Sequence, residues 1–219
     1  MEQRKLIAKE LVKHAPFTIL GAITGIIIIV IIVLFNAPKE MSTTLFYTLH
    51  PIHVVLSALA TTSMYKLRGK GTIWPAILIG YTGSVGIATL SDAVIPYLGG
   101  TSLHISMQFH APFLETEKMP FIGIAKWQFI NSAAALGIAI GYWKPATKLP
   151  HAGHVLFSTW ASLFSFTAFG TANWIPLLPF VFLFLFLAVW LPCCLSDIVY
   201  PLIFARKDVK SPSQGVQQP

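Results

Sequence analysis

Histidine pairs spaced three residues apart are the first feature of this sequence that could do chemistry. His50 and His53 form one pair, and His151 and His154 form the other. Residues three apart lie on one face of an α-helix, so each pair can direct both imidazoles toward one point. Imidazole nitrogens bind zinc, iron, manganese and nickel, and they titrate near neutral pH. Each pair is therefore a candidate for binding metal ions or protons.

Two aspartates lie in matching phrases. Asp92 belongs to LSDAVIPYL, residues 90 to 98, and Asp197 to LSDIVYPLI, residues 195 to 203. An aspartate inside a membrane span costs about 2.5 to 3.5 kcal/mol on insertion scales, so embedded carboxylates usually mark a site or a pathway. We predict two related metal sites, each with three histidines and one aspartate. The first comprises His50, His53, His110 and Asp92, and the second comprises His14, His151, His154 and Asp197.

Several neighbouring residues are candidates for supporting roles. Ser91 and Ser196 precede the two aspartates and could hydrogen-bond to groups that bind the metal. Cys193 and Cys194 could add a sulfur ligand to the second site, although packing is their default role and a disulfide between them is disfavoured. His104, Glu115 and Glu117 could gather cations outside the first site, although a solvated loop is the favoured interpretation. The alternative for the two groups themselves is a structural polar network that joins helices.

The composition shows which elements must position these residues. The chain of 219 residues is 55% hydrophobic and 11% charged, and its mean hydropathy is +0.70. A soluble domain carries roughly 25% charged residues, so this composition indicates a membrane protein. Continuous apolar runs predict an all-α polytopic membrane protein, since a helical crossing needs about 20 apolar residues. The six predicted spans are residues 15 to 37, 44 to 66, 72 to 95, 121 to 143, 151 to 170 and 174 to 203.

Positive charge is concentrated on one side of this predicted topology. With six spans, that side holds Arg4, Lys5, Lys9, Lys13, Lys66, Arg68, Lys70, Lys144, Lys148, Arg206, Lys207 and Lys210. The positive-inside rule makes this side, with both termini, cytoplasmic in a cell inner membrane. The formal net charge of +7 is then explained by topology and by contact with anionic lipids, and nucleic-acid binding is not implied.

The matching phrases belong to a longer internal repeat. HPIHVVLS, residues 50 to 57, returns as HAGHVLFS, residues 151 to 158, and Trp74 returns as Trp174. The matching phrases occur in the same order in both halves of the chain, which predicts two inverted three-helix repeats, 1 to 98 and 121 to 205. An external segment at 99 to 120 would connect them, and residues 206 to 219 would form a disordered tail. HAPF at 14 to 17 recurs at 110 to 113 and favours His110 as the counterpart of His14, with Met119-Pro-Phe121 as the competing match to the first helix.

An inverted repeat would place the first site toward the external face and the second toward the cytoplasmic face. The favoured function is a transporter of a divalent transition metal, with zinc as the first candidate and iron, manganese or nickel as others. The first alternative is an intramembrane zinc-dependent hydrolase that acts on a lipid, and the second is a diheme b-type protein that carries electrons across the membrane. The sequence leaves a homo-oligomer open.

Overall fold

The computed structural model describes residues 2 to 68, 72 to 119, 122 to 146 and 148 to 205. The elements in these ranges are α1 (Glu2–Leu34), α2 (Lys39–Arg68), α3 (Ile73–Ser102), β1 (Ser106–Met107), α4 (Lys126–Trp143), α5 (Lys148–Phe169), β2 (Gly170–Thr171) and α6 (residues 175 to 205). The predicted all-α architecture is confirmed. The helices differ from the predicted spans at several ends, because α1 begins at Glu2, α2 begins at Lys39, α3 continues to Ser102 and α4 begins only at Lys126. The predicted tail at 206 to 219 lies outside the described residues.

Four of these helices are long and apolar enough to cross a membrane. They contain the segments Ala15–Leu34, Lys39–Leu67, Ile73–Ser102 and Ile175–Cys193. This supports a membrane protein, whereas crossings by α4 and α5 stay predictions. The hydroxyl side chains that lower the hydropathy of α5 face inward, since Ser158, Ser162 and Ser165 are fully buried.

The distribution of side chains is that of a protein in an apolar solvent. Large aliphatic residues of α1, among them Ile19, Ile23 and Ile27, face outward, whereas the interior contains many buried serine, threonine and histidine side chains. Water would disfavour the first arrangement and lipid tails permit it. The bundle therefore has its polar groups where its helices meet.

Close helix contacts form around a central pair, α2 and α5. α4 packs on α2 at Gly137, where an added Cβ would lie 2.3 Å from the carbonyl oxygen of Val55. α1 packs on α5 at Gly21, where an added Cβ would lie 2.9 Å from Oγ1 of Thr159. Glycine at these positions lets the backbones approach closely, which is how helices associate in lipid.

Both LSD phrases form π-helical turns, at Leu90–Val94 in α3 and Leu195–Val199 in α6. Pro96 and Pro201 each follow the aspartate by four residues. A proline has no N–H to give to the carbonyl four residues earlier, and its ring crowds that carbonyl. The helix widens there, and the N–H of Ile95 reaches back to the carbonyl of Leu90. Such turns occur often at functional sites.

The inter-helix loop, residues 103 to 125 without the undescribed 120 and 121, folds over one end of the bundle. β1 in this loop pairs with β2 in antiparallel register, with Ser106 opposite Thr171. Met119 is buried and packs in the same cluster as Phe46 and Tyr47 near the start of α2. The loop is therefore attached to both central helices.

Candidate metal centre

A buried carboxylate joins the first histidine pair. Oδ2 of Asp92 lies 2.7 Å from Nδ1 of His53 and 2.9 Å from Nδ1 of His50. All three side chains are 0% exposed. The histidines share a face of α2 because they are three residues apart, and the π-helical turn of α3 presents the aspartate to that face. Among the described residues, these three form the group that could hold a metal ion.

The other oxygen of the same carboxylate accepts serine hydroxyls. Oδ1 of Asp92 lies 2.6 Å from Oγ of Ser91, 2.9 Å from Oγ of Ser158 and 3.2 Å from Oγ of Ser162. Ser91 was a predicted supporting residue. Ser158 and Ser162 of α5 were not predicted, although Ser158 closes the repeated phrase HAGHVLFS and so carried a signal.

The two histidines present their other nitrogens to the interior. A carboxylate at Nδ1 favours a hydrogen on that atom, which leaves a lone pair on Nε2. Nε2 of His50 and Nε2 of His53 are buried and have no hydrogen-bond partner within the described part of the chain. Buried polar atoms normally have a hydrogen-bond partner, so these two nitrogen atoms are available to bind a ligand.

His154 lies beside His53 of the first group. Its ring is fully buried and nearly parallel to the ring of His53, with the ring centroids 5.8 Å apart. The prediction assigned these two histidines to sites toward opposite faces, and the structure brings their rings together. α2 and α5 are the central pair of the bundle, and both histidines lie where these helices meet. The side chains of His14, His151, Asp197 and Cys194 lie outside the described residues.

His110 is separated from the first group by an aromatic ring. It stacks on Phe169 at a centroid distance of 3.7 Å and meets Phe46 edge to face at 4.8 Å. Phe46 in turn stacks on His50 at 5.2 Å. His110 therefore covers the centre and does not join its group of possible ligands.

Burial is the main cause that lowers the pKa of His110, to about 3. His50 and Lys126 lower this pKa further, whereas the backbone of Gln108 and the charge of Asp92 raise it. His110 is thus a neutral imidazole at ordinary pH. The shared HAPF letters do not reflect a shared structure either, because His14 lies inside α1 and His110 lies in the loop.

The two acids of the inter-helix loop, Glu115 and Glu117, form ion pairs with Lys126. Nζ of Lys126 lies 2.9 Å from Oε2 of Glu115 and 2.7 Å from Oε2 of Glu117. The hydroxyl of Tyr47 donates to Glu115 at 2.5 Å. His104 is exposed at the turn after α3. The possible role of Glu115 and Glu117 in gathering cations is therefore not supported, because both acids already pair with Lys126.

Two further predicted residues are buried in the core of the bundle. Cys193 is buried, and its Sγ lies 3.6 Å from Oγ of Ser158. Ser196 donates to the carbonyl of Gly83 at 2.7 Å, and its Oγ lies 3.4 Å from the hydroxyls of Ser57 and Thr61. Ser196 therefore ties α6 to α3 and α2.

The donor set fits a transition metal after a small adjustment. A tetrahedral ion with ligands at about 2.0 to 2.1 Å holds its ligand atoms about 3.3 Å apart. The observed separations of 2.7 and 2.9 Å are hydrogen-bond lengths. Moving the carboxylate by roughly 0.5 Å and displacing the two Nδ1 hydrogens would open the group to an ion. Alternatively, an ion could use the Nε2 atoms, with Asp92 orienting the rings.

Comparison with protein-family models, curated proteins and solved structures gives no match to this chain.

Proposed function

We propose that this protein is a membrane transporter of a divalent transition-metal cation, and that His50, His53 and Asp92 bind the cargo. One observation carries the proposal, namely that two imidazoles and one carboxylate meet at zero exposure in a bundle of apolar helices. Imidazole with carboxylate is a donor set for zinc, manganese, iron or nickel, and zinc remains the first candidate.

The charge of Asp92 favours a cation site over a purely structural network. Within the described residues, its ion-pair partners are only His50 and His53. A buried carboxylate is costly, and replacing such groups by apolar ones is often neutral or stabilising for the fold. A site with a carboxylate and no fixed lysine or arginine beside it can accept a mobile cation and release it again.

Occlusion favours transport over hydrolysis. A hydrolase needs a path by which a lipid substrate reaches the metal, whereas His50, His53 and Asp92 are all closed off from the surface. A transporter passes through an occluded state between its two open states. No contact of the described residues specifically favours the alternative in which these histidines bind haem.

Paired contacts support the inverted repeat that such a mechanism uses. Oγ of Ser158 lies 3.3 Å from Oγ of Ser91, and Oγ of Ser57 lies 3.4 Å from Oγ of Ser196. Ser57 and Ser158 are equivalent in the repeated phrases, as are Ser91 and Ser196. Each half therefore directs its serine to the LSD phrase of the other half, as a two-fold axis between α2 and α5 would require.

The glycine contacts follow the same relation. Gly21 of α1 meets Thr159 of α5, and Gly137 of α4 meets Ala58 of α2. Ala58 and Thr159 are equivalent positions, each following the last serine of its repeated phrase. We infer that α1 to α3 and α4 to α6 are two inverted copies, and that the side rich in lysine and arginine is cytoplasmic.

A flux measurement tests the proposed function. The purified protein in liposomes should move at least one of zinc, manganese, iron and nickel faster than empty vesicles do. His53→Ala should reduce this flux at least about tenfold, in line with the 10- to 100-fold effects of altered metal-site residues. Thr62→Val is the matched control, because Thr62 is buried on the same helix and its hydroxyl has no hydrogen-bond partner among the described residues.

The proposal is rejected if none of the four metals moves above the background of empty vesicles. It is also rejected if His53→Ala, shown to be folded, transports as fast as Thr62→Val.

A further inference from the structure

The two oxygens of Asp92 face different chemistry. Oδ2 faces two imidazole nitrogens. Within the described residues, the hydrogen-bond partners of Oδ1 are the hydroxyl oxygens of Ser91, Ser158 and Ser162. The carbonyl oxygen of Ser91 belongs to the same cluster, because Ser162 donates to it at 2.9 Å. One carboxylate thus joins a nitrogen-rich side to an oxygen-rich side.

Each of the three hydroxyls also has a second neighbour away from Oδ1. Oγ of Ser91 lies 3.2 Å from the carbonyl of Ala88. Ser162 can give its hydrogen to the carbonyl of Ser91, and Ser158 can give its hydrogen to Oγ of Ser91 at 3.3 Å. The thiol of Cys193 donates to Ser158 at 3.6 Å. The three serines can therefore direct their hydrogens away from the carboxylate and turn lone pairs toward a cation.

We propose that Ser91, Ser158, Ser162 and Oδ1 of Asp92 form a sodium-binding site. Hydroxyl, carbonyl and carboxylate oxygens are ligands for hard cations and poor ones for soft metals. The cluster has a single negative charge, which one monovalent ion neutralises. The oxygens around Oδ1 lie at hydrogen-bond distances of 2.6 to 3.2 Å from it. A bound ion must move them apart, and sodium requires less movement than the larger potassium.

The local backbone supports this assignment. Ser91 and Asp92 lie in the π-helical turn Leu90–Val94, where the normal helical hydrogen bonds are shifted. Irregular helix turns with accessible carbonyls are the sites at which transporters coordinate sodium ions. The turn is closed by Ser158 and Ser162 from α5, so the site requires both halves of the chain.

A shared carboxylate links this site to the metal centre. This linkage, unlike the sodium site itself, rests on the proposed transport function. A sodium ion at Oδ1 would stabilise the charged carboxylate and fix its orientation toward the two histidines. By thermodynamic reciprocity, sodium would then change metal affinity by the same factor as metal changes sodium affinity. Sodium is thereby a candidate coupling ion.

Thermal unfolding of the full chain in detergent, with a chelator present to remove transition metals, tests the site. Replacing choline chloride by sodium chloride at constant ionic strength should raise Tm in a saturable way, because a ligand that binds only the folded state stabilises it. Potassium chloride should raise Tm less. Ser158→Ala and Ser162→Ala should each need at least about tenfold more sodium for the same shift, which corresponds to about 1.4 kcal/mol of binding energy.

Matched variants separate loss of the site from loss of packing. Ser165→Ala removes a buried hydroxyl from the same helix that has no hydrogen-bond partner among the described residues, and it should keep the full sodium response. Ser162→Thr retains the hydroxyl and should also respond. The proposal is overturned if the unaltered protein has the same Tm in sodium, potassium and choline, or if both alanine variants respond as it does.

A direct measurement covers the case in which the alanine variants do not fold. The unaltered protein should bind one radiolabelled sodium ion per chain at saturation, and absence of binding overturns the proposal. These measurements contain no transition metal. An absence of metal flux would therefore contradict the proposed function without affecting the test of the sodium site.

Discussion

Two carboxylates in this protein, Asp92 in the bundle and Glu115 in the inter-helix loop, are satisfied in opposite ways. Glu115 has a lysine 2.9 Å away, a tyrosine hydroxyl at 2.5 Å and the N–H of Ala111 at 3.1 Å. Asp92 has two imidazoles and three serine hydroxyls, and within the described residues no lysine or arginine lies within ion-pair distance of it. Both carboxylates are well hydrogen-bonded. Only one has a permanent cation.

This difference separates a structural carboxylate from one suited to bind an ion. Lys126 neutralises Glu115 in place, so the pair can hold the loop against α2 and α4 without any exchange of ions. The imidazoles and hydroxyls around Asp92 orient its charge, and none of them is a permanent cation. A proton, a metal ion or sodium can cancel it, and each can leave again. The comparison predicts opposite responses to substitution at the two carboxylates.

The largest expected effect comes from neutralising each carboxylate in turn. Asp92→Asn should lower zinc affinity at least about 100-fold, because the amide can neither bind the ion as a carboxylate does nor accept hydrogens from both imidazoles at full strength. Glu115→Gln should leave zinc affinity within about threefold of the unaltered protein. Calorimetric titration of both proteins with zinc measures the difference.

Equal losses of zinc affinity in the two variants would contradict the comparison. Retention of full affinity in Asp92→Asn would remove Asp92 from the metal centre. Because Asn fits the space of Asp, the folded state of this variant can be verified by its circular dichroism before titration.

Removing the fixed cation is the reverse experiment. Lys126→Met leaves Glu115 partly buried and without its lysine, and it should destabilise the protein by about 1 to 3 kcal/mol, the range for a lost hydrogen bond to a charged group. Zinc affinity should not change. Lys118→Met is the control, because Lys118 is an exposed loop lysine. Chemical denaturation measures the free energy of unfolding of both variants. Equal values would show that the ion pair of Lys126 with Glu115 does not stabilise the fold.

His110 is a buried imidazole that stacks on aromatic rings, whereas His50 and His53 pair with a carboxylate. Its ordinary pKa of 6.5 falls to about 3 in the fold, chiefly through burial. The unfolded chain therefore binds a proton between these values that the folded chain does not. Stability is full above pH 6.5 and is lost as pH falls toward 3, with about 1.4 kcal/mol lost by pH 5.5.

His110→Phe should remove this contribution and keep the aromatic packing. Hydrogen exchange of the inter-helix loop at pH 7 and pH 5.5 measures it, with faster exchange at the lower pH expected only in the unaltered protein, after correction for the intrinsic rates. An identical pH response in both proteins would exclude His110 as the cause.

The sequence was sufficient to predict the helices and one carboxylate with its histidines, because each rests on local rules. Apolar runs of fixed length predict helices, and a spacing of three places His50 and His53 on one face. The residues that surround Asp92 from α5 depend on which helices meet, and spacing alone does not reveal that. Ser158 and Ser162 were therefore missed, and so was the contact between the rings of His53 and His154.

The match of HAPF was misleading for a related reason. Residues 14 to 17 lie in a helix and residues 110 to 113 lie in a loop, so the four shared letters do not form equivalent structures. The glycine pairs GAITG, residues 21 to 25, and GIAIG, residues 137 to 141, are a weaker match in letters. Yet Gly21 contacts Thr159 and Gly137 contacts Ala58, two positions that each follow the last serine of a repeated phrase. Under the proposed inverted repeat, small residues that set helix distance are the better guide to equivalence.

The smallest expected effect concerns Glu117, the exposed partner of the same lysine. Its hydrogen bond from Lys126, followed by the charge of that lysine, lowers its pKa. A lowered carboxyl pKa stabilises the fold at neutral pH, and this stabilisation is lost as pH falls through the lowered value. Glu117 is largely exposed to solvent, so solvent screening reduces this stabilisation to a small value. Glu117→Gln should lower Tm by no more than about 2 °C at pH 7.

Glu115→Gln should lower Tm more, because Glu115 is partly buried and also accepts hydrogen bonds from Tyr47 and Ala111. If the order of the two were reversed, the lysine would hold the loop through its exposed partner, and burial would not decide which carboxylate is structural.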